Sequence, residues 1–307
     1  FTSTQNKRTI KEYIIANYLI DKSRYESLTN NIIGPRVLII GPRESGGIEF
    51  SHVILNYALK RSEEASCRER GYTPLFCDLD LDNEITVPGG ISATVVDHLI
   101  PNDFLFDNGI SYFFGDVYKK NGENMNWSLY EMQLIELGNA CYEKLEMDLQ
   151  IWKKVMNIEN KQNLSNYISS PKPTLFSSGI VVRCPIIDNG EHAESIYKTI
   201  LNKFKITDIY VIEDEKLKNT FNMIIKNMGN INLELISRLV VDSDKNEEIK
   251  RKKSISKYLN GPFGNFGLKQ IKLDLNEYKL IEINPSKISA SMVPLGLNAD
   301  LKMIFKI

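Results

Sequence analysis

What is scarce in this chain narrows its class first. Its 307 residues include four cysteines, three histidines and two tryptophans. Cys67, Cys77, Cys141 and Cys184 show no CxxC spacing and no histidine at zinc-site distance. That argues against a zinc fold or disulfide scaffold and for reduced thiols, with Cys77 and Cys184 as buried strand residues. His52, His98 and His192 have no partner at ligand spacing and receive no role. Glycine (18) and proline (11) are too few for a low-complexity chain. No apolar run approaches the roughly 20 residues of a membrane span. The longest, Tyr13 to Ile20, is interrupted by Asn17. Neither sign of charge is in excess: 38 basic and 39 acidic residues give a net charge of −1. Nucleic-acid binding by the whole surface is therefore excluded, leaving only a local basic patch. The sequons at Asn126 and Asn163 carry no weight without a secretory leader. The chain begins at Phe1 rather than Met, so further sequence upstream is expected.

What is present is an ordinary globular mixture, 42% hydrophobic and 25% charged. Residues 7–28 read as an amphipathic helix whose inner face carries Ile10, Tyr13, Ile14, Tyr18 and Tyr25 at three-to-four spacing. Val37 to Ile40 is a short apolar run of the kind buried on both faces of a parallel sheet. A helix over 49–60 follows, with Val53, Ile54, Tyr57 and Ala58, and then a strand over 74–80 ending in carboxylates. The pattern continues with a long helix over 129–156 (Leu129, Met132, Ile135, Leu145, Leu149, Trp152) and a strand over 178–184. A helix over 193–204 and strands over 208–213 and 239–242 complete it. Strands alternating with helices imply a mainly parallel sheet in a three-layer α/β core. Three regions result: an N-terminal helix and linker (1–34), a P-loop-like domain (35–243), and a region (244–307) opening with a charged helix. After that helix, Gly261 to Gly267 breaks the pattern, and short strands over 269–273 and 278–283 begin a smaller C-terminal domain. Trp127 and Trp152 read as packing residues, and Phe263 with Phe266 as a small satellite core.

The segment with the most chemistry is Gly41-Pro42-Arg43-Glu44-Ser45-Gly46-Gly47-Ile48. It lies between the first strand and the next helix, where a phosphate-binding P-loop belongs, and Gly41 and Gly46 have the required separation. Backbone N–H groups and a helix N-terminus can cradle a phosphate there. The chemically decisive side chains are missing. Gly47 stands where a lysine reaches the β- and γ-phosphates, and Ile48 stands where a hydroxyl holds Mg²⁺. A unit charge about 4 Å from a phosphate oxygen is worth about 4 kcal/mol at an effective dielectric of 20. The loop lacks that attraction, while Glu44 and Glu49 add repulsion that Arg43 offsets in part. On this octapeptide alone, a plain strand-to-helix turn that only looks like a P-loop explains the pattern better than a nucleotide cradle does.

Longer stretches carry a specific resemblance. Gly34-Pro-Arg-Val-Leu-Ile-Ile-Gly-Pro, Leu55-Asn-Tyr-Ala-Leu, Gly71-Tyr-Thr-Pro-Leu-Phe-Cys-Asp-Leu-Asp and Val87-Pro-Gly-Gly-Ile-Ser-Ala-Thr resemble the polyribonucleotide 5′-hydroxyl kinase family. Ser178-Gly-Ile-Val-Val, Val240-Val-Asp-Ser and Val293-Pro-Leu-Gly-Leu follow in that family's order. The signatures around Val87 and Val293 are similar to the branch that serves as P-loop subunit of the pre-mRNA cleavage and polyadenylation machinery. The resemblance spans roughly residues 15–298. It implies a P-loop NTPase-like fold, a nuclear location, other subunits of the cleavage complex as partners, RNA contact, and ATP with Mg²⁺ as ligands. It also implies an N-terminal β-domain that precedes the region these residues resemble.

Carried over residue by residue, the resemblance makes Asp80 the base that activates an RNA 5′-hydroxyl. Asp78 and Asp80 would lie at Mg²⁺, with Asp82 assisting. Strand-end solvation is the plain alternative for these carboxylates. The family's RNA-stacking tryptophan falls at Ile187, which has no π-face. In the lid helix the phosphoryl-stabilising arginines give way to Glu247, Glu248, Ser254 and Ser256, with only Arg251, among Lys250, Lys252 and Lys253, keeping positive charge. Three readings follow. The first is a non-catalytic or weakly active relative acting as a subunit of mRNA 3′-end processing. The second is an active ATP-dependent kinase using Asp80, with Arg43 or Arg251 in place of the lysine. The third is a module that binds ATP without turnover.

Overall fold

Val37, Leu38, Ile39 and Ile40 lie fully buried at the centre of a seven-stranded sheet in the computed structural model of the chain. The structure describes residues 4–42, 45–60, 71–81, 88–100, 109–114, 125–161, 174–187, 190–226, 228–239 and 255–256. The elements in chain order are α1 (Thr4–Asn30), β1 (Arg36–Gly41), α2 (Gly47–Lys60), β2 (Leu75–Asp78), β3 (Gly90–Val95), β4 (Ile110–Phe113) and α3 (Trp127–Lys161). They continue with α4 (Leu175–Ser178), β5 (Ile180–Pro185), α5 (Gly190–Lys203), β6 (Asp208–Ile212), α6 (Glu215–Ile225) and β7 (Asn232–Ile236). The strand order is β4-β3-β2-β5-β1-β6-β7. β2, β5, β1, β6 and β7 run parallel, and β3 and β4 add an antiparallel edge.

The period of two along β1 divides the molecule into layers. Leu38 and Ile40 face a core made with α3, α5 and α6, including Tyr130, Leu134, Leu137, Ile200 and Phe221. Val37 and Ile39 face the opposite side, where Tyr13 and Ile20 of α1 and Phe50 and Ile54 of α2 pack against them. The expected three-layer α/β core is present. α6 starts at Asp214, whose carboxylate accepts the Leu217 amide at 2.9 Å and satisfies one of the first-turn donors.

Three expectations are corrected. The face expected to be buried on the first helix is mostly in solvent: Ile10, Ile14, Tyr18 and Tyr25 are exposed, and only Tyr13 is buried. The inner face instead carries Ala16, Asn17, Ile20, Asp21, Arg24 and Leu28. The reason is a polar network at the α1 interface. Arg24 is wholly buried, donates to Asp21 at 2.8 Å and to the Ser178 carbonyl at 3.1 Å, and lies over the Tyr72 ring. Paired polar groups of this kind can be buried without an unmatched charge, which inverts the apolar pattern. The strand expected over 239–242 is corrected at its start: Leu239 is not in a strand, and residues 240–242 lie outside the described residues. Among the described residues the sheet edge on this side is formed by Asn232–Ile236. As an edge strand β7 buries its residues only partly, so its sequence alternates rather than forming an apolar run. On α3 the buried stripe is Trp127, Tyr130, Leu134, Leu137, Cys141 and Leu145, whereas Leu129, Met132, Ile135, Leu149 and Trp152 are half-buried.

Candidate functional site

The loop after β1 is braced from two sides. Ser45 turns back within it, its amide donating to the Pro42 carbonyl at 3.2 Å. Gly46 has φ +97° and begins the turn into α2, its carbonyl accepting the Phe50 amide at 2.9 Å. The buried Tyr13 hydroxyl of α1 donates to the same carbonyl at 3.3 Å. Burial, then Glu49 and Glu12, hold that phenol well above its usual pKa, so it remains a donor. The Leu239 amide donates to the Ser45 carbonyl at 3.2 Å. A Cβ on Gly46 would lie 2.7 Å from the Tyr13 hydroxyl and 2.9 Å from Leu239 Cβ, so both the conformation and the space call for glycine.

Gly47 differs from its neighbour. It opens α2, and a Cβ there would meet only Ile212 Cδ1 at 3.7 Å. The missing lysine is therefore not excluded by lack of room. Ile48 packs against the core shared by α1 and α2, so an apolar contact occupies the position of the metal-binding hydroxyl. Arg43 and Glu44 lie outside the described residues, as do Asp82, Arg251 with Glu247, Glu248 and Ser254, and the Phe263/Phe266 segment.

Asp78 and Asp80 are close together, and the residue that joins them is one sequence reasoning missed. Arg183 on β5 is the direct register partner of Asp78 on β2. Its Nε donates to Asp78 Oδ1 at 3.1 Å and its Nη2 to Asp78 Oδ2 at 2.9 Å, while Nη1 lies 3.5 Å from Asp80 Oδ2. Asp78 is fully buried and the Arg183 side chain is 12% exposed. Burial raises the Asp78 pKa, with Arg183 opposing the shift. The Asp80 amide also donates to Asp78 Oδ1, at 3.2 Å. The only sequence signal was an arginine interrupting the apolar run Ile180-Val-Val-Arg-Cys. Charges seldom sit inside a buried strand without a partner on the next one.

His52 on α2 lies near this cluster. Burial, and then the positive charge of Arg183, lower its pKa. Ser45 Oγ, His52 Nε2 and Ser92 Oγ are buried without hydrogen-bond partners among the described residues, and Ser92 is the register partner of Asp78 on β3. The remaining sequence candidates are accounted for by packing. Ile187 is buried, and its amide is bonded to the Tyr197 hydroxyl at 2.9 Å, so it offers no surface to a base. Trp127 is buried and stacks on His192 at 5.5 Å between centroids, giving that histidine a contact the sequence did not suggest. Trp152 donates to Asn31 at 2.6 Å.

The donor set does not fit Mg²⁺. Both Asp78 oxygens are taken by a guanidinium, no hydroxyl stands at position 48, and Mg²⁺ requires near-octahedral oxygen ligands. Among the described residues, no group of three or more His, Cys, Asp or Glu side chains could hold a metal ion. Among the described residues the loop offers a triphosphate little: position 47 carries no cation, Glu49 lies in the first turn, and the Ser45 amide is already bonded within the loop. No helix among the described residues is long and apolar enough to cross a membrane.

Known proteins match this architecture. Residues 41–159 match the family model of the mRNA cleavage and polyadenylation factor CLP1 P-loop. A CLP1 homolog of Anopheles gambiae is 22% identical over 292 residues, covering 94% of this chain and 60% of the relative. The mRNA cleavage and polyadenylation factor CLP1 of Saccharomyces cerevisiae is 26% identical over 274 residues, covering 82% of this chain and 53% of the relative. The chain therefore spans about 60% or less of the length of these curated relatives. A solved Clp1p–Pcf11p complex superposes with TM-score 0.58 at 24% identity, covering 82% of this chain and 54% of that one. A second Clp1p–Pcf11p structure, described as giving the basis for ATP loss in a glycine-to-arginine mutant, superposes with TM-score 0.59 at 23% identity. These likenesses establish the fold.

Proposed function

We propose that this chain is a member of the CLP1 cleavage and polyadenylation factor family, whose P-loop model residues 41–159 match, and that it acts as a non-catalytic subunit of the mRNA 3′-end processing machinery, in the nucleus. The observation that carries the non-catalytic part is the state of the phosphate-handling groups. Gly47 and Ile48 replace the lysine and hydroxyl, and the two carboxylates that would serve metal and base are ion-paired to Arg183. Phosphoryl transfer depends almost entirely on positioning and charge stabilisation, so replacing the loop lysine and tying up both carboxylates with Arg183 removes main contributions. The structural framework around the loop is nonetheless kept: Tyr13, Leu239 and Phe50 still fix its path. A fold preserved without its chemistry suits a platform for other subunits. The solved Clp1p relatives are complexes with Pcf11p, which supports a partner of that kind here.

The test has two readouts on the same protein. Transfer of labelled γ-phosphate to a 5′-hydroxyl oligoribonucleotide is expected to be absent. Transfer that disappears in Asp80→Ala would establish the active-kinase reading instead. Affinity purification from nuclear extract is expected to recover other cleavage and polyadenylation subunits, and their absence would remove the subunit role.

A further inference from the structure

The pairing of Arg183 with both carboxylates points beyond the loss of one activity. We infer that Arg183 is a built-in cation that takes the place of a divalent metal, closing the Asp78–Asp80 pair to Mg²⁺ and making this part of the sheet metal-independent. The inference concerns the site of the proposed function, but it stands on the ion-pair geometry rather than on the subunit role.

Register fixes the arrangement. Ile39, Arg183, Asp78 and Ser92 form one row across β1, β5, β2 and β3. Alternation along β2 and β5 places Asp78 and Arg183 on the side of α2: their neighbours Cys77 and Val182 belong to the core on the other face, whereas Phe76 and Val181 share the core with α2. The guanidinium is therefore presented to Asp78 by adjacent backbones, not by a long side chain reaching across a gap. Its planar fork matches a carboxylate in bidentate fashion, and its charge persists at every physiological pH.

A metal entering here would have to displace this fork. The displaced arginine would remain a largely buried cation beside a second cation, and desolvation together with repulsion opposes both. The single charge of Arg183 leaves the Asp78–Asp80–Arg183 group with a net charge of −1, half of what two free carboxylates would offer a divalent ion. The Asp80 amide bonded to Asp78 also ties the two carboxylates into one rigid unit. Ile48 removes the hydroxyl that would complete a coordination sphere. Arg183 is thus a positioning residue, holding Asp78 and Asp80 as structural acceptors.

The experiment is Mn²⁺ titration, read by electron paramagnetic resonance, on the full 307-residue chain. The proteins compared are wild type, Asp80→Asn, Arg183→Gln and Arg183→Gln/Asp80→Asn. Wild type is expected to show no Mn²⁺ bound through Asp80. Arg183→Gln is expected to bind one Mn²⁺ at least about tenfold more tightly than wild type, and the double variant to lose it. If Arg183→Gln is unfolded alone, recovery of its thermal transition by Mn²⁺ supports the inference, because the ion then substitutes for the guanidinium. Three results overturn it: one Mn²⁺ on wild type that vanishes in Asp80→Asn, a folded Arg183→Gln that binds none, or an unfolded one that Mn²⁺ does not rescue. None of these readouts depends on kinase activity or partner capture, so the subunit role can stand if this inference falls.

Discussion

At the scale of single residues, Gly46 and Gly47 are adjacent but have different reasons for being glycine. Gly46 sits at φ +97° against Tyr13 and Leu239. Gly46→Ala is expected to destabilise by about 1–3 kcal/mol, through a strained backbone and two close contacts. Gly47 is helical with open space around a Cβ. Gly47→Ala should therefore stabilise by roughly 0.5–1 kcal/mol, because glycine loses more freedom on folding. Urea unfolding of both variants checks the contrast. The same measurement applies to the buried ion pair. Arg183→Leu is expected to cost about 3–5 kcal/mol by leaving Asp78 buried and unpaired. Asp78→Leu combined with Arg183→Leu should cost less than Arg183→Leu alone. The sequence exposed Asp78, Asp80 and the altered loop, because each lies at the end of an apolar run. It hid the Asp78–Arg183 contact, since two residues 105 positions apart meet only through parallel pairing across β2 and β5.

The element that departs furthest from its sequence pattern is α1. Residues with the strongest apolar periodicity, Ile10, Ile14 and Tyr18, face out, and a polar network around Asp21 and Arg24 faces in. Ile14→Glu is expected to change stability by less than about 0.5 kcal/mol. Ile20→Ala, on the buried side, should cost about 2–5 kcal/mol. A reversal of those two results in thermal unfolding would mean that the helix is rotated. Glu12 fastens the same helix to the sheet, accepting the Ser237 amide at 2.8 Å. Burial works to raise the Glu12 pKa, but the hydrogen bonds from Ser237 and the charge of Arg8 outweigh it, so the folded value lies below the usual 4.5. A depressed carboxyl pKa contributes stability that is present above the unfolded value and lost as pH falls through the folded one. Wild type should therefore exceed Glu12→Gln by about 1 kcal/mol at neutral pH. The two thermal transitions should converge as pH falls from 4.5 through the lower folded value. β1, β2, β5 and β6 were legible because strands buried on both faces must be continuously apolar. β4 and β7 were not, because edge strands with partial burial need no such run, and β3, though buried, is built from the small and polar residues Gly90-Ile-Ser-Ala-Thr rather than an apolar run.

For the molecule as a whole, the sequence conveyed the layer order well and the site poorly. Alternating strands and helices permit few topologies, whereas the fate of a phosphate site depends on side chains brought together from distant elements. Tyr13, Leu239 and Arg183 all shape the candidate site, and none adjoins the loop in sequence. The resulting picture is a P-loop framework braced by packing, with its charge pattern closed internally. The most direct measurement is a thermal-shift titration of wild-type protein with Mg-ATP. No saturable stabilisation is predicted up to millimolar nucleotide. A ligand at about 100 times its dissociation constant would stabilise the fold by about 2.7 kcal/mol, and a saturable shift of that size would contradict the account.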